Sequence, residues 1–130
     1  MPGLRFYSPE ISVEEKRILA KELTKEVVSS LNLPTELSNW TFIHFVTYKL
    51  EEFAIGGNLV LDTQGPWYFL EITERNWDIE KKQTVVRNIT LLLSKLLKLK
   101  SEEIYKINII LLEYKPEDMA RAGKLLSQSS

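Results

Sequence analysis

The chain has 130 residues, with Lys+Arg 17 against Asp+Glu 18, a formal net charge of −1 and no basic run, so it offers no electrostatic footprint for nucleic acid. Zero Cys excludes disulfides and thiolate chemistry, and one His cannot build an ordinary zinc site, so neither a metal nor any other cofactor is expected. No apolar stretch is long and uncharged enough to span a bilayer and Met1-Pro2-Gly3 opens no signal peptide, which together imply a cytoplasmic protein without a membrane partner.

Leu4 to Tyr7 is a short run rich in apolar and aromatic residues, which predicts a strand. Ser12-Val13-Glu14-Glu15 follows with the spacing of a capping box. Leu19, Leu23, Val27 and Leu31 then recur every four residues as a stripe for burial, while Lys16, Lys21, Glu22, Lys25 and Glu26 face water. Pro34 marks the stop, and Thr41 to Tyr48 predicts a second strand. Gly56-Gly57 reads as a turn needing positive φ rather than a phosphate loop, because no Lys-Ser/Thr follows it. The pattern then starts again. Trp67 to Thr73 predicts a strand, and Asp78 is the candidate N-cap of a helix with the stripe Val85, Ile89, Leu92, Leu93 and Leu96. That helix should stop at Lys100-Ser101, before a strand over Ile107 to Tyr114.

The recurrence has a fixed period. A shift of 66 positions lays Glu14 on Glu80, Lys16 on Lys82, Thr24 on Thr90, Leu31 on Leu97, Tyr48-Lys49 on Tyr114-Lys115 and Gly57 on Gly123 without a gap. Residues 1–130 are therefore one domain made of two pseudo-repeats, about 2–62 and 67–128. Each is a β-α-β unit whose two strands should be parallel. The fold class is α+β: a tandem β-α-β repeat forming a four-stranded sheet with two helices on one face. Trp67, Phe69, Phe42, Phe45, Ile109 and Leu111 cannot all be hidden under two helices, so a homo-oligomer is expected, with Phe45, Ile109 and Leu111 buried by assembly or by the helices.

The copies differ where chemistry could live: only the first begins with Met1-Pro2, and only the second carries Arg75 after its opening strand. Initiator Met is commonly removed before a small residue, which would leave Pro2 with a free secondary amine. Burial in an apolar pocket disfavours the charged form of an amine, and an amine neutral near pH 7 is a suitable general base. His44, set among Phe42, Ile43 and Phe45, reads as a packed or interface histidine rather than a base. Arg75 on its own reads equally as a carboxylate clamp or as a solvated loop charge.

Pro2 before a short strand, Ser12-Val13-Glu14-Glu15-Lys16 opening an amphipathic helix, Leu33-Pro34, and a strand leading to Phe53-Ala54-Ile55-Gly56-Gly57 together resemble the 4-oxalocrotonate tautomerase pattern. Glu74-Arg75-Asn76-Trp77-Asp78 resembles that family's arginine-bearing loop. The fused length is similar to that of malonate semialdehyde decarboxylase and the cis-3-chloroacrylic acid dehalogenases. The resemblance implies a tautomerase fold, also that of macrophage migration inhibitory factor, assembled as a homotrimer. It implies Pro2 at the floor of a pocket for a small carboxylate substrate, Arg75 holding the carboxylate and Phe53 closing the site.

Departures from the family pattern are specific. Phe42 and Asn108 occupy the strand position of the small tautomerases' second arginine and count here among the substrate-binding residues. Arg121 stands in place of the dehalogenases' water-activating glutamate, Val27-Val28 in place of their helix histidine, and Leu37-Ser38 in place of the decarboxylase's aspartate. Arg121 could supply the second positive charge or simply sit on the surface. The activity implied is tautomerisation or isomerisation of a small 2-oxo or enol carboxylate. The alternatives are a decarboxylase or hydratase/dehalogenase of a related acid, and a non-catalytic trimeric structural or binding protein.

Overall fold

The computed structural model describes residues 1–128. The chain runs through β1 (Gly3–Ser8), α1 (Val13–Ser30), β2 (Phe42–Thr47), a hairpin of β3 (Ala54–Ile55) and β4 (Asn58–Leu59), then β5 (Tyr68–Glu74), α2 (Ile79–Leu96), β6 (Ile107–Glu113) and a second hairpin of β7 (Ala120–Arg121) and β8 (Lys124–Leu125). Both helices begin as their sequences dictate. Ser12 Oγ accepts from the Glu15 amide at 3.0 Å and the Glu15 carboxylate accepts from the Ser12 amide at 3.3 Å, which closes the capping box. Asp78 accepts from the Lys81 amide at 2.8 Å.

Their ends fall earlier than Pro34 and Lys100-Ser101 suggest. Asn32 and Lys98, 66 positions apart, both take a left-handed backbone, with φ of 53° and 56°. The amides of Asn32 and Leu33 turn back to the carbonyls of Ser29 and Val28, each at 3.0 Å. Lys98 and Leu99 do the same to Lys95 and Ser94 at 3.2 and 2.9 Å. This is a Schellman end made without glycine, so the usual compositional signal is missing.

The main sheet has the order β2-β1-β5-β6. Pairs β1–β2 and β5–β6 are parallel, as a crossover helix requires, while the two copies meet antiparallel at β1–β5. Leu4 lies in register with Ile43 and Ile72, and Phe6 with Phe45 and Leu70. Ile72 and Leu70 continue the rows to Leu111 and Ile109. These rows pack against Leu19, Leu23 and Val27 of α1 and Val85, Ile89 and Leu93 of α2 in a single core. Each such buried side chain contributes roughly 1.5–3 kcal/mol relative to exposure.

That register decides which apolar strand residues the helices cover. Phe45, Ile109 and Leu111 point toward the helices and belong to the core. Strand side chains alternate, so the opposite face carries their neighbours: Arg5, Tyr7, Phe42, His44, Val46, Phe69, Glu71, Thr73, Asn108, Ile110 and Leu112. Phe42, Ile110 and Leu112 are exposed there. Polar pairs run between them, with Arg5 at 3.7 Å from Glu71 and the Tyr7 hydroxyl donating to Glu71 at 3.2 Å. The face is mixed rather than uniformly apolar. Trp67 lies just outside β5, its ring edge-on to Tyr105.

Candidate active site

Antiparallel pairing at the centre of the sheet decides what surrounds the start of the chain. Gly3 is in register with Thr73, so the residue before β1 falls beside the last residue of β5, Glu74. Pro2 is fully buried there. The Met1 ammonium donates to both Glu74 carboxylate oxygens, at 3.0 and 3.1 Å, and to the Tyr114 hydroxyl at 3.3 Å. That hydroxyl in turn lies 3.1 Å from the Met1 carbonyl and 3.4 Å from Glu74 Oε1. Tyr114 is carried in at the end of β6, where its amide donates to the Glu74 carbonyl at 3.2 Å. Burial raises the Tyr114 pKa, and the nearby Glu74 charge adds to this, while Arg75 and Arg121 oppose it. Glu74 is itself only 3% exposed.

Three more of the expected residues gather at this end. Arg75 donates its amide to Glu74 Oε1 at 2.8 Å and leaves its side chain exposed. Phe42 lies across the backbone of Gly3, where any Cβ would collide with its ring. Arg121 is presented by β7, contacts the Met1 sulfur, and stacks on Trp40 at 4.3 Å from the ring centroid. A cavity of about 180 Å³ opens here, lined by Met1, Gly3, Arg5, Phe42, Thr73, Tyr114 and Met119.

Phe53 and Asn108 are elsewhere. Phe53 packs 5.1 Å from Tyr48 and 5.0 Å from Phe69, at the opposite end of the sheet. Asn108 is in register with Phe69, and its buried Nδ2 has no hydrogen-bond partner. His44, in register with Arg5, is exposed on the mixed face and lies outside the cavity lining.

The repeat explains this separation. At the far end Trp67 stands in the place of Met1, Tyr68 in that of Pro2, Phe53 in that of Met119 and Asn108 in that of Phe42. Tyr48 mirrors Tyr114: its hydroxyl donates to the Trp67 carbonyl at 2.5 Å and accepts from the Trp67 amide at 3.2 Å. Ser8 mirrors Glu74, but its side chain bonds only locally, to the Pro9 carbonyl at 2.8 Å. Sequence reasoning missed Glu74 and Tyr114. Glu74 was legible as the one carboxylate that replaces a small residue of the other copy beside the arginine, whereas Tyr114 was masked because its repeat partner is also a tyrosine.

A larger open groove of about 970 Å³ runs along α1 past Arg17, Lys21, Lys25, Val28 and Leu33. It brings together no amine, carboxylate and arginines as the start of β1 does. Among the described residues no group of three His, Cys, Asp or Glu is arranged to hold a metal ion, and no helix is long and apolar enough to cross a membrane.

No protein-family model and no curated protein matches this sequence. Solved structures do. A native fused 4-OT superposes with a TM-score of 0.85 at 14% identity, over 98% of both chains. A member of the cis-3-chloroacrylic acid dehalogenase family gives 0.78 at 17%, over 95% of this chain and 82% of that one. A wild-type fused 4-OT forming an asymmetric trimer gives 0.76 at 16%, over 96% of both. Identities this low speak to fold alone. The chain has the tautomerase-superfamily fold, two β-α-β units joined head to tail, over nearly its whole length.

Proposed function

We propose that this protein is a tautomerase or isomerase of a small 2-oxo or enol carboxylate, with Pro2 as general base after removal of Met1, working as a homotrimer. The observation that carries this reading is the setting of Pro2. It is fully buried at the start of a central strand, next to a Met1 ammonium held by a carboxylate and a phenol, with Arg75 adjoining that carboxylate and Arg121 against Met1. Removal of Met1, which lines the small cavity, would open the buried amine to it, and guanidinium groups suit a carboxylate through paired charge-assisted hydrogen bonds. In this reading Arg75 and Arg121 hold the substrate carboxylate and spread enolate charge, while Phe42 keeps water from the reacting carbon. Phe53 and Asn108, remote from Pro2 in their own subunit, are assigned to the pocket of a neighbouring copy. The unpaired Asn108 donor and the exposed Phe42, Ile110 and Leu112 support an assembly over this face.

Intact mass of the expressed protein should show Met1 removed, and Pro2→Ala should lower turnover of phenylenolpyruvate-type acids about 10²–10⁴-fold. Unchanged turnover would place the base elsewhere. Sedimentation should give a trimer at micromolar concentration, and a stable monomer would remove the neighbouring-copy assignment. Turnover confined to chloroacrylate-type or 3-oxo acids would select the hydratase or decarboxylase alternative.

A second reading rests on the same contacts. Met1 is well seated, its ammonium held by Glu74 and its sulfur under Arg121. Were it retained, the Pro2 nitrogen would be an amide without base strength, and the protein would be a non-catalytic member of the fold. The mass measurement separates the two.

A further inference from the structure

Glu74 is hard to explain as a structural residue. A carboxylate only 3% exposed carries a large desolvation penalty unless it is paired. Among the described residues the one cation within salt-bridge distance of it is the Met1 amine. The Arg75 amide and the Tyr114 hydroxyl aim the carboxylate but carry no charge. Ser8, at the same place in the other copy, faces no amine and is not charged. Loss of Met1 therefore strands a buried anion, and the nearest new cation is fixed by covalent geometry. The Pro2 nitrogen lies three bonds from the Met1 nitrogen, on the residue that strand pairing sets against Glu74.

We propose that Glu74 is the positioning residue for the proline nitrogen: it accepts the Pro2 N–H once Met1 is gone and makes the proline cation the resting form at neutral pH, with Tyr114 bracing the carboxylate. The inference rests on the reading of Pro2 as a free amine, and it departs from the apolar pocket that the sequence suggests. Other charges face the same point. Arg75 from the loop after β5 and Arg121 from β7 act on the neighbouring Tyr114 hydroxyl, and Arg5 from β1 lines the same cavity; all three cations favour the neutral amine. Glu113, in register with Glu74, is turned away to the Trp77 amide at 3.2 Å. Strand pairing sets Glu74 against Pro2, and an opposite charge within about 4–6 Å raises the proton affinity of an amine about tenfold or more. The base form of Pro2 then appears only as pH rises, so turnover should climb with pH along a limb that Glu74 sets.

The test uses the full chain trimmed to Pro2 with methionine aminopeptidase, confirmed by mass, with ¹⁵N-proline and ¹³C-glutamate labels. Glu74→Gln keeps the shape and the acceptor for the Arg75 amide while removing the charge. It should lower the proton affinity of the Pro2 nitrogen at least about tenfold by NMR titration and move the rising limb of kcat/KM to lower pH by the same factor. An unchanged Pro2 midpoint overturns the proposal. Should the variant not fold, the wild-type protein decides: the Glu74 carboxyl carbon must shift at the Pro2 midpoint, and independent midpoints overturn the pairing. Coupled titration in a protein with no turnover would sink the enzymatic reading and leave the pair standing.

Discussion

The two repeat-matched tyrosines give a sharp comparison. Tyr48→Phe removes a hydroxyl that serves both the carbonyl and the amide of Trp67, at 2.5 and 3.2 Å, in the link that leads into β5. Two hydrogen bonds at about 0.5–1.5 kcal/mol each give a loss of about 1–3 kcal/mol. In a domain of this size that lowers the melting temperature by roughly 3–5 °C per kcal/mol. Tyr114→Phe removes the mirror-image hydroxyl, but its two Met1 contacts at 3.3 and 3.1 Å exist only while Met1 is present. In the trimmed protein only the 3.4 Å contact to Glu74 is left, so the cost should be about 1 kcal/mol or less. Thermal melts of trimmed and untrimmed forms of both variants would measure this. Tyr48→Phe should cost the same in both forms, whereas Tyr114→Phe should cost more with Met1 in place. Equal costs for Tyr114→Phe with and without Met1 would refute the assignment of its hydroxyl to the start of the chain.

Arg75→Lys should harm affinity for a carboxylate ligand nearly as much as Arg75→Ala, since lysine lacks the two-pronged geometry, with a fall of roughly one to two decades by calorimetry. Its side chain is exposed, so the melting temperature should barely move, and a large drop instead would mark Arg75 as structural. Alkali should destabilise the fold. Tyr48, Tyr68 and Tyr114 are all raised above 10.0, chiefly by burial, so their contribution is complete below pH 10 and lost as pH climbs through the folded values. Denaturation curves from pH 8 to 11 should show stability falling above about 10, less steeply in Tyr48→Phe, and a flat profile would contradict the burial argument.

What could be read from the sequence was whatever local chemistry and periodicity settle. Ser12 with Glu15, and Asp78, satisfy helix amides within three residues, so both helix starts were legible. The stripes of α1 and α2 repeat at the helical period and went into the core as written. The 66-residue repeat forced a paired β-α-β architecture, because neither unit alone can bury its helix and sheet face. Helix ends were less legible, since Asn32 and Lys98 do the work usually left to glycine. Long-range placement was left to the tertiary structure. Strand side chains alternate, so one residue of parity sent Phe45, Ile109 and Leu111 to the helices and Phe42 and Asn108 to the other face. In runs as evenly apolar as Ile107 to Leu112 nothing local fixes that parity. The antiparallel junction of β1 with β5 set Glu74 against the start of the chain and carried Phe53 to the far end, because register between strands 66 residues apart is chosen by the packing of the whole sheet.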